Sequence, residues 1–147
     1  MWYNLHMKRI LLYVLLVAPL TSFAHTGIKS HVCLLESICK VESNCDSSAI
    51  GDNGNAIGAY QIWKDYWHDA CTFRDNDDLE LSDGYESCYD KEYSKKVVLA
   101  YWNRYATMKR LGRTPTDEDR ARIHNGGPNG YKKDSTLKYW KKVQNEM

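Results

Sequence analysis

Two acidic residues ten positions apart, Glu42 and Asp52, are the side chains most suited to catalysis in this sequence. Glycosidic bonds are cleaved by such pairs: one protonated carboxyl group protonates the leaving oxygen, and an ionised one acts as nucleophile, charge stabiliser or base. The acid requires apolar surroundings and its partner requires polar ones. Glu42 follows Val41 at an apolar helix edge, whereas Asp52 lies in Gly-Asp-Asn-Gly-Asn. A solvated helix-end glutamate and an ordinary turn aspartate are the simpler interpretations.

The element that must position Glu42 is an amphipathic helix. The segment "SHVCLLESICKVES" begins at Ser30, which is a suitable N-cap. Its apolar residues recur at near-helical spacing, at Val32, Leu35, Ile38 and Val41. The spacing predicts a short buried helix with Glu42 near its C-terminus.

The element that must position Asp52 is a hairpin. Asn53-Gly54 is a strong signal for a tight primed turn, which requires positive φ at both central residues. We therefore expect Asp52 at the tip or on the inner strand, and Gly51 and Gly58 where backbone could approach a ligand closely. A helix end facing this hairpin across a cleft would bring the two carboxyl groups about 5–10 Å apart.

The remaining elements are predicted to be helical apart from an acidic loop over residues 72–87. Helices are expected over "WKDYWHDAC", over residues 88–110 with a stop at Gly112, after Thr116, and over residues 135–144. Trp63 and Trp67 lie one turn apart, and at least one of them is expected in the core. The fold class is α+β, mostly helical with a small β-hairpin.

Residues 1–24 are predicted to be a secretory signal peptide. Lys8 and Arg9 precede the apolar run "ILLYVLLVAPL", and small residues precede a cleavage point after Ala24. An uncleaved membrane anchor is the competing interpretation. Residues 25–147 then form a single domain that is secreted, extracellular and not membrane-bound after cleavage.

All five cysteines lie in the predicted mature chain, and in a secreted protein they favour disulfide bonds over metal ligation. A Cys39–Cys45 bond could clamp a helix end, and a Cys71–Cys88 bond could close the acidic loop. Cys33 would remain free or would form a dimer. The connectivity itself cannot be deduced from spacing.

Charge is divided unevenly along the predicted mature chain. Residues 25–90 carry 4 basic and 13 acidic residues, whereas residues 91–147 carry 14 and 6. This division argues against nucleic-acid binding by the whole molecule. The basic half could contact an anionic bacterial envelope, or the two halves could attract each other.

Three segments carry a family resemblance: "CLLESICKVESNC", "GDNGNAIGAYQIWKDYW" and "RIHNGGPNGYKKDSTLKYWKKV". In this order they resemble the invertebrate-type lysozyme or destabilase family, from about Cys33 to Val143. The resemblance implies a lysozyme-like fold, with the hairpin beside an active-site cleft. It also implies hydrolysis of the β-1,4 bond between N-acetylmuramic acid and N-acetylglucosamine in bacterial peptidoglycan.

The resemblance assigns roles to individual residues. Glu42 matches the catalytic acid and Asp52 the catalytic aspartate, although the loop here is slightly shortened. Six residues match cleft-lining segments and are expected to bind substrate: Tyr60, Gln61, Tyr66, Trp67, His124 and Asn125. Core packing is the simpler role for the tryptophans, and a structural role is the simpler one for His124. No cofactor or metal is implied, because no His/Cys cluster has ligand spacing, and a monomer is expected.

Two departures from the family leave further functions open. The chain has five cysteines where most members have many more, so a thinner disulfide framework is expected. Some members are isopeptidases that use a serine, but Asn55 stands at the expected position, and only Ser47 or Ser48 could replace it near His124. A lytic transglycosylase using Glu42 alone and a non-enzymatic, peptidoglycan-binding or membrane-active antibacterial protein are also compatible with the sequence.

Overall fold

The computed structural model describes residues 22–73, 79–80 and 83–147. Most of the predicted signal peptide (1–21) and part of the predicted acidic loop (74–78 and 81–82) lie outside these ranges. The described elements are helices α1 to α6 and strands β1 to β3. In chain order they are α1 (Ser22–Ser43), β1 (Ile50–Gly51), β2 (Ala56–Ile57), β3 (Ile62–Trp63), α2 (Lys64–Cys71), α3 (Lys91–Tyr105), α4 (Met108–Leu111), α5 (Asp117–Gly126) and α6 (Leu137–Glu146). The predicted α+β class, mostly helical with a small sheet, is confirmed.

Helix α1 is longer than the sequence pattern predicts. It begins at Ser22, so Ser30 lies inside the helix and is not its N-cap. No proline interrupts the segment between these two serines, so nothing in the sequence stops the helical hydrogen bonds there. The helix therefore also spans the predicted cleavage point after Ala24. No helix in the described part of the chain is long and apolar enough to cross a membrane.

The C-terminus of α1 is closed by the backbone and by a disulfide bond. Asn44 and Cys45 both adopt left-handed conformations, with φ of 55° and 61°. The Cys45 N–H donates to the Cys39 carbonyl at 3.0 Å, and the Asn44 N–H donates to the Lys40 carbonyl at 3.0 Å. The predicted disulfide bond joins the same two residues. The last turn of α1, which carries Glu42, is thus held at both its backbone and its side chains.

The sheet has three short antiparallel strands in the order β1-β2-β3. Gly51 pairs with Ala56, so the loop between β1 and β2 has four residues, not the two of the predicted primed turn. Asp52, Asn53 and Gly54 all have positive φ, of 46°, 57° and 93°. The Asp52 carbonyl accepts from both the N–H and the side-chain amide of Asn55, and these bonds close the longer loop.

The sheet packs closely on the rest of the chain through Gly58. Gly58 has φ of 74°, and a Cβ atom there would lie 2.1 Å from the Cys88 carbonyl oxygen. Cys88 belongs to a 3-10 turn, Tyr85–Tyr89, that leads into α3. The close approach predicted at Gly58 is therefore to the protein's own backbone.

The core lies between α1, the sheet and the later helices. It is built from aliphatic and aromatic side chains that are almost completely buried: Leu34, Leu35, Ile38, Tyr60, Ile62, Val97, Val98, Tyr101, Trp102, Ile123 and Val143. Helix α6 packs on α1 and α5, and α3 packs on α2 and α5. The first and last helices are thus neighbours beside the site described below.

The single helix predicted over residues 88–110 is two helices. The backbone leaves the helical region at Ala106, where ψ is 65°. Thr107 then caps α4, because its hydroxyl accepts from the Arg110 N–H. Gly112 ends α4 in a left-handed conformation, as predicted.

The start of α5 is closed by several side-chain hydrogen bonds. Thr116 and Asp119 form a capping box. Asp119 is only 2 % exposed, and its carboxylate also accepts from both terminal nitrogens of the Arg113 guanidinium. Burial alone would raise the pKa of Asp119, but hydrogen bonds from Arg113 and Thr116 outweigh it and hold the pKa below its usual range.

The second predicted disulfide bond is not formed. Cys71 and Cys88 are free thiols, as is the exposed Cys33. Cys71 Sγ instead contacts the Tyr93 hydroxyl at 4.0 Å. Burial, followed by the neighbouring Cys71, raises the pKa of Cys88 to about 12, so this thiol is protonated near neutral pH and a poor nucleophile.

Replacing Asp119 with alanine should lower the free energy of unfolding by about 2 kcal/mol, because the change removes the cap and leaves Arg113 without its carboxylate. Denaturant unfolding of wild type, Asp119→Ala and the exposed control Asp134→Ala measures the difference. The control should stay within about 0.5 kcal/mol of wild type. Equal losses in the two variants would contradict the assignment.

The same contacts predict a pH dependence of stability. Since the folded-state pKa of Asp119 is below its ordinary value of 3.8, its contribution is complete above about pH 4 and is lost as pH falls through the folded-state pKa. Asp119→Ala should therefore lose less stability than wild type on acidification below about pH 4, as measured by thermal unfolding across this range. Equal losses of stability in the two proteins would contradict the lowered pKa.

Candidate active site

Glu42 and Asp52 line the same pocket. Its volume is about 350 Å³, and its wall comes from the end of α1, the hairpin, β3 and the end of α5. The lining residues are Glu42, Gly51, Asp52, Gln61, Trp63, His124 and Asn125. The two carboxylates, separated by ten positions in sequence, therefore face one solvent-accessible space.

Glu42 is held by polar groups from two helices that follow it in the chain. The Tyr139 hydroxyl on α6 donates to Glu42 Oε1 at 2.7 Å, and His124 Nε2 on α5 lies 3.4 Å from the same oxygen. The Glu42 side chain is 18 % exposed. The sequence predicts apolar surroundings; the structure adds a phenol hydroxyl and an imidazole, because α5 and α6 close over the end of α1.

Burial keeps the two tyrosine hydroxyls near this carboxyl group protonated. Burial first, and the Glu42 carboxylate next, raise the pKa of Tyr139 well above its ordinary value. Burial and then Tyr101 and Glu42 have the same effect on the pKa of Tyr66, whose hydroxyl lies 3.2 Å from His124 Nδ1. Both phenols are therefore neutral near neutral pH and can donate hydrogen bonds.

Asp52 has the polar, exposed setting that the sequence predicts. Its Oδ2 accepts from the Trp63 indole N–H at 3.1 Å. The residue adopts a left-handed conformation, which is uncommon for residues other than glycine. The hairpin tip and the end of β3 thus fix the aspartate from two sides.

The end of α1 is anchored to the segment between β2 and β3. The Ser43 hydroxyl donates to the Ala59 carbonyl at 2.8 Å. Gln61, which has φ of 48°, donates from its side-chain amide to the Gly58 carbonyl at 2.9 Å. These bonds set the position of the hairpin relative to the helix end that carries Glu42.

A second volume of about 640 Å³ continues the pocket. The two volumes share Gln61, Trp63, His124 and Asn125. The extension is lined further by the α2 and α3 aromatics Tyr66 and Tyr101, which stack at 3.6 Å, and by the loop after α5. Because they share four lining residues, the two volumes form one cleft.

Of the six residues predicted to bind substrate, four line the cleft and two are buried in the core. Gln61, Tyr66, His124 and Asn125 line the cleft. Tyr60 and Trp67 do not: Tyr60 is fully buried and Trp67 is 6 % exposed, with its indole N–H donating to the Tyr93 hydroxyl. A sequence pattern shows that aromatic residues cluster here but not which side of the backbone each occupies.

Two residues of the site are absent from the sequence-based predictions. Trp63 is 48 % exposed and lines both volumes, so it is the cleft tryptophan and Trp67 the core one. Tyr139 reaches Glu42 from a position 97 residues away. The only hint of Tyr139 in the sequence is that it lies in the predicted helix over residues 135–144, off the side on which Leu137, Trp140 and Val143 recur every three residues.

The chain matches the destabilase family profile over residues 30–146. It is 35 % identical to a lysozyme of Ostrea edulis over 145 residues, which is 95 % of this chain and 96 % of the relative. It is 37 % identical to a lysozyme of Meretrix lusoria, covering 80 % of this chain and 90 % of the relative. The chain belongs to the destabilase family of invertebrate-type lysozymes.

Solved structures agree with this membership. A Meretrix lusoria lysozyme, crystallised in complex with Aeromonas hydrophila PliI, matches with a TM-score of 0.61 and 34 % identity, covering 77 % of this chain and 87 % of that one. A Tapes japonica lysozyme matches with a TM-score of 0.59 and 33 % identity, covering 76 % of this chain and 86 % of that one. The lysozyme-like fold is therefore confirmed. These relatives also support lysozyme activity for this chain.

Removing the Trp63 ring should weaken sugar binding. Trp63→Ala should raise the Kd for a chitin oligosaccharide about tenfold, because an apolar stacking face is lost, whereas Trp63→Phe should retain most of the affinity. Titration calorimetry measures both. Ile50→Ala, a change at an exposed apolar residue of the same sheet outside the cleft, is the matched control. An unchanged Kd in Trp63→Ala would show that sugars do not bind at this ring.

Proposed function

We propose that this protein is a secreted muramidase in which Glu42 is the general acid and Asp52 is the nucleophile or oxocarbenium stabiliser. The substrate is the β-1,4 bond between N-acetylmuramic acid and N-acetylglucosamine in bacterial peptidoglycan, cleaved for defence or digestion. One observation carries the assignment: the two carboxylates line one pocket in a chain of the lysozyme family.

The reaction follows from the two environments. Glu42, largely buried and held at one oxygen, donates a proton to the glycosidic oxygen as the bond to the leaving sugar breaks. Asp52, exposed at the hairpin tip, meets the positive charge that develops on the remaining sugar. Glu42, now a carboxylate, then takes a proton from the attacking water. Retention of configuration is expected by analogy with the family.

The side chains that line the cleft are suited to binding a polymeric substrate. Trp63 offers an exposed ring for the apolar face of a sugar, and the amides of Gln61 and Asn125 suit hydroxyl and N-acetyl groups. The adjoining volume continues beyond the two carboxylates, so it offers contacts to sugars next to the scissile bond.

We also propose that the protein acts outside the cell as a monomer. The pattern of residues 1–24 and the Cys39–Cys45 disulfide bond support secretion. After cleavage the domain would have no membrane association, and its divided charge gives no reason to propose a nucleic-acid partner.

The contacts of His124 do not favour isopeptidase activity. Both of its ring nitrogens already contact polar groups, those of Tyr66 and Glu42. The Ser48 hydroxyl donates to the Asp46 carboxylate, so it is not paired with a histidine base. No described serine is arranged as an activated nucleophile beside this histidine.

The decisive test is the clearing of Micrococcus-type cell walls. Glu42→Gln should reduce the rate about a thousandfold, because the general acid is lost. Glu36→Gln is the matched control, since Glu36 lies on the same helix and pairs with Lys91 outside the cleft. Wild-type clearing by Glu42→Gln would contradict the proposal, and bacterial killing without cell-wall cleavage would favour a non-enzymatic protein.

The role of Asp52 has its own test. Asp52→Asn should lower the rate about a hundredfold, because a neutral amide stabilises the developing positive charge poorly. Asp46→Asn, at another exposed loop aspartate, is the control. If Asp52→Asn retains near-full activity and the products end in anhydro sugars, Glu42 acts alone as in a lytic transglycosylase.

A further inference from the structure

We propose that Tyr139 and His124 are positioning residues that hold Oε1 of Glu42, so that Oε2 is the oxygen from which the acid donates its proton. The inference rests on the proposed function, in which Glu42 is the general acid. It assigns a task to a tyrosine that the sequence pattern does not single out, and it gives His124 a role beyond substrate binding.

The contacts on Glu42 are unequal between its two oxygens. The Tyr139 hydroxyl lies 2.7 Å from Oε1, and His124 Nε2 lies 3.4 Å from the same atom. Among the described residues, no polar group contacts Oε2. The carboxyl group is therefore oriented by one oxygen, and its second oxygen is left for the cleft that Glu42 lines.

The hydroxyl of Tyr139 can serve Glu42 in both protonation states. Because burial and the carboxylate raise the pKa of this phenol and keep it protonated, its O–H donates to the ionised carboxylate. When a proton is on Oε2, Oε1 becomes a carbonyl-type oxygen that still accepts the same hydrogen bond. The contact therefore need not break during proton transfer.

The orientation of His124 is fixed from its Nδ1 side. Tyr66 stacks on Tyr101 with an interplanar angle of 14°, and its hydroxyl reaches His124 Nδ1 at 3.2 Å. In the neutral imidazole one nitrogen donates and the other accepts. If Tyr66 donates to Nδ1, the neutral imidazole carries its proton on Nε2, and a charged imidazolium carries one there too. In both forms the protonated nitrogen lies 3.4 Å from Oε1.

These contacts predict a change in pH dependence. The titratable groups that face Glu42 are Tyr139 from α6, His124 from α5, Tyr66 from α2 and Asp52 from the hairpin across the pocket. Only the first two lie at contact distance from Oε1, and the Tyr139 hydroxyl donates a hydrogen bond, which is stronger when its acceptor is charged. Removing this hydrogen bond should therefore change the pH dependence of the reaction.

The test compares Tyr139→Phe with wild type on an oligosaccharide substrate. The variant should lower kcat about tenfold with KM unchanged, because the acid loses its orientation but the sugar contacts remain. The alkaline limb of the pH–rate profile should move about one pH unit higher, since the carboxylate loses a donor.

Tyr93→Phe is the matched control. It also removes one partly buried tyrosine hydroxyl that is hydrogen-bonded, in this case to the Trp67 indole, but away from the cleft. It should lower Tm without moving the pH–rate profile. If Tyr139→Phe loses activity only in proportion to its folded fraction, as Tyr93→Phe would, the positioning role is overturned.

His124→Phe keeps a ring in place and provides a second variant if Tyr139→Phe does not fold. Its alkaline limb should move in the same direction, and an unmoved limb in the folded variants overturns the inference. Glu42→Gln separates the two hypotheses. An inactive Glu42→Gln with a wild-type profile in Tyr139→Phe rejects the inference alone, whereas an active Glu42→Gln rejects the proposed function and the inference with it.

Discussion

The hydrogen bond from the Tyr139 hydroxyl to Glu42 is the contact on which the arrangement of the site depends. It joins the last helix to the last turn of α1, across 97 positions of sequence. For this bond to form, α6 must pack on α1 and α5, which also brings His124 to the same carboxylate oxygen. The position of the acid is thus a product of helix packing, not of the local sequence around Glu42.

Asp52 depends on a different kind of constraint. Three consecutive residues at the hairpin tip have positive φ, and only one of them is glycine. Such conformations persist where surrounding bonds determine them, and here the Trp63 indole and the two bonds from Asn55 to the Asp52 carbonyl do so. Glu42 is therefore positioned by tertiary packing, and Asp52 by local backbone geometry that one tryptophan supports.

Local signals in the sequence are enough to predict several helix ends. They are not enough to predict which face of an element is buried. The helix start at Thr116 and the stop at Gly112 follow from residue chemistry within one turn, and both are present. The side of the backbone on which an aromatic residue lies is decided by packing, so Tyr60 and Trp67 are expected in the cleft and lie in the core. The same limit hides Tyr139, whose partner is distant in sequence. Spacing also leaves disulfide connectivity open: of the two bonds considered, Cys39–Cys45 is formed and Cys71–Cys88 is not.

A crystal structure of the Glu42→Gln protein with a bound hexamer of N-acetylglucosamine would show whether the two carboxyl positions act on one glycosidic bond. We expect the side-chain amide of residue 42 within hydrogen-bond distance, about 3 Å, of a glycosidic oxygen, with Tyr139 still on the opposite side of that amide group. Asp52 should face the anomeric carbon of the same bond. Two results would contradict the assignment of this pair as the catalytic carboxylates. In one, no glycosidic oxygen of the bound oligosaccharide lies near residue 42. In the other, Asp52 and residue 42 contact separate sugars that share no bond.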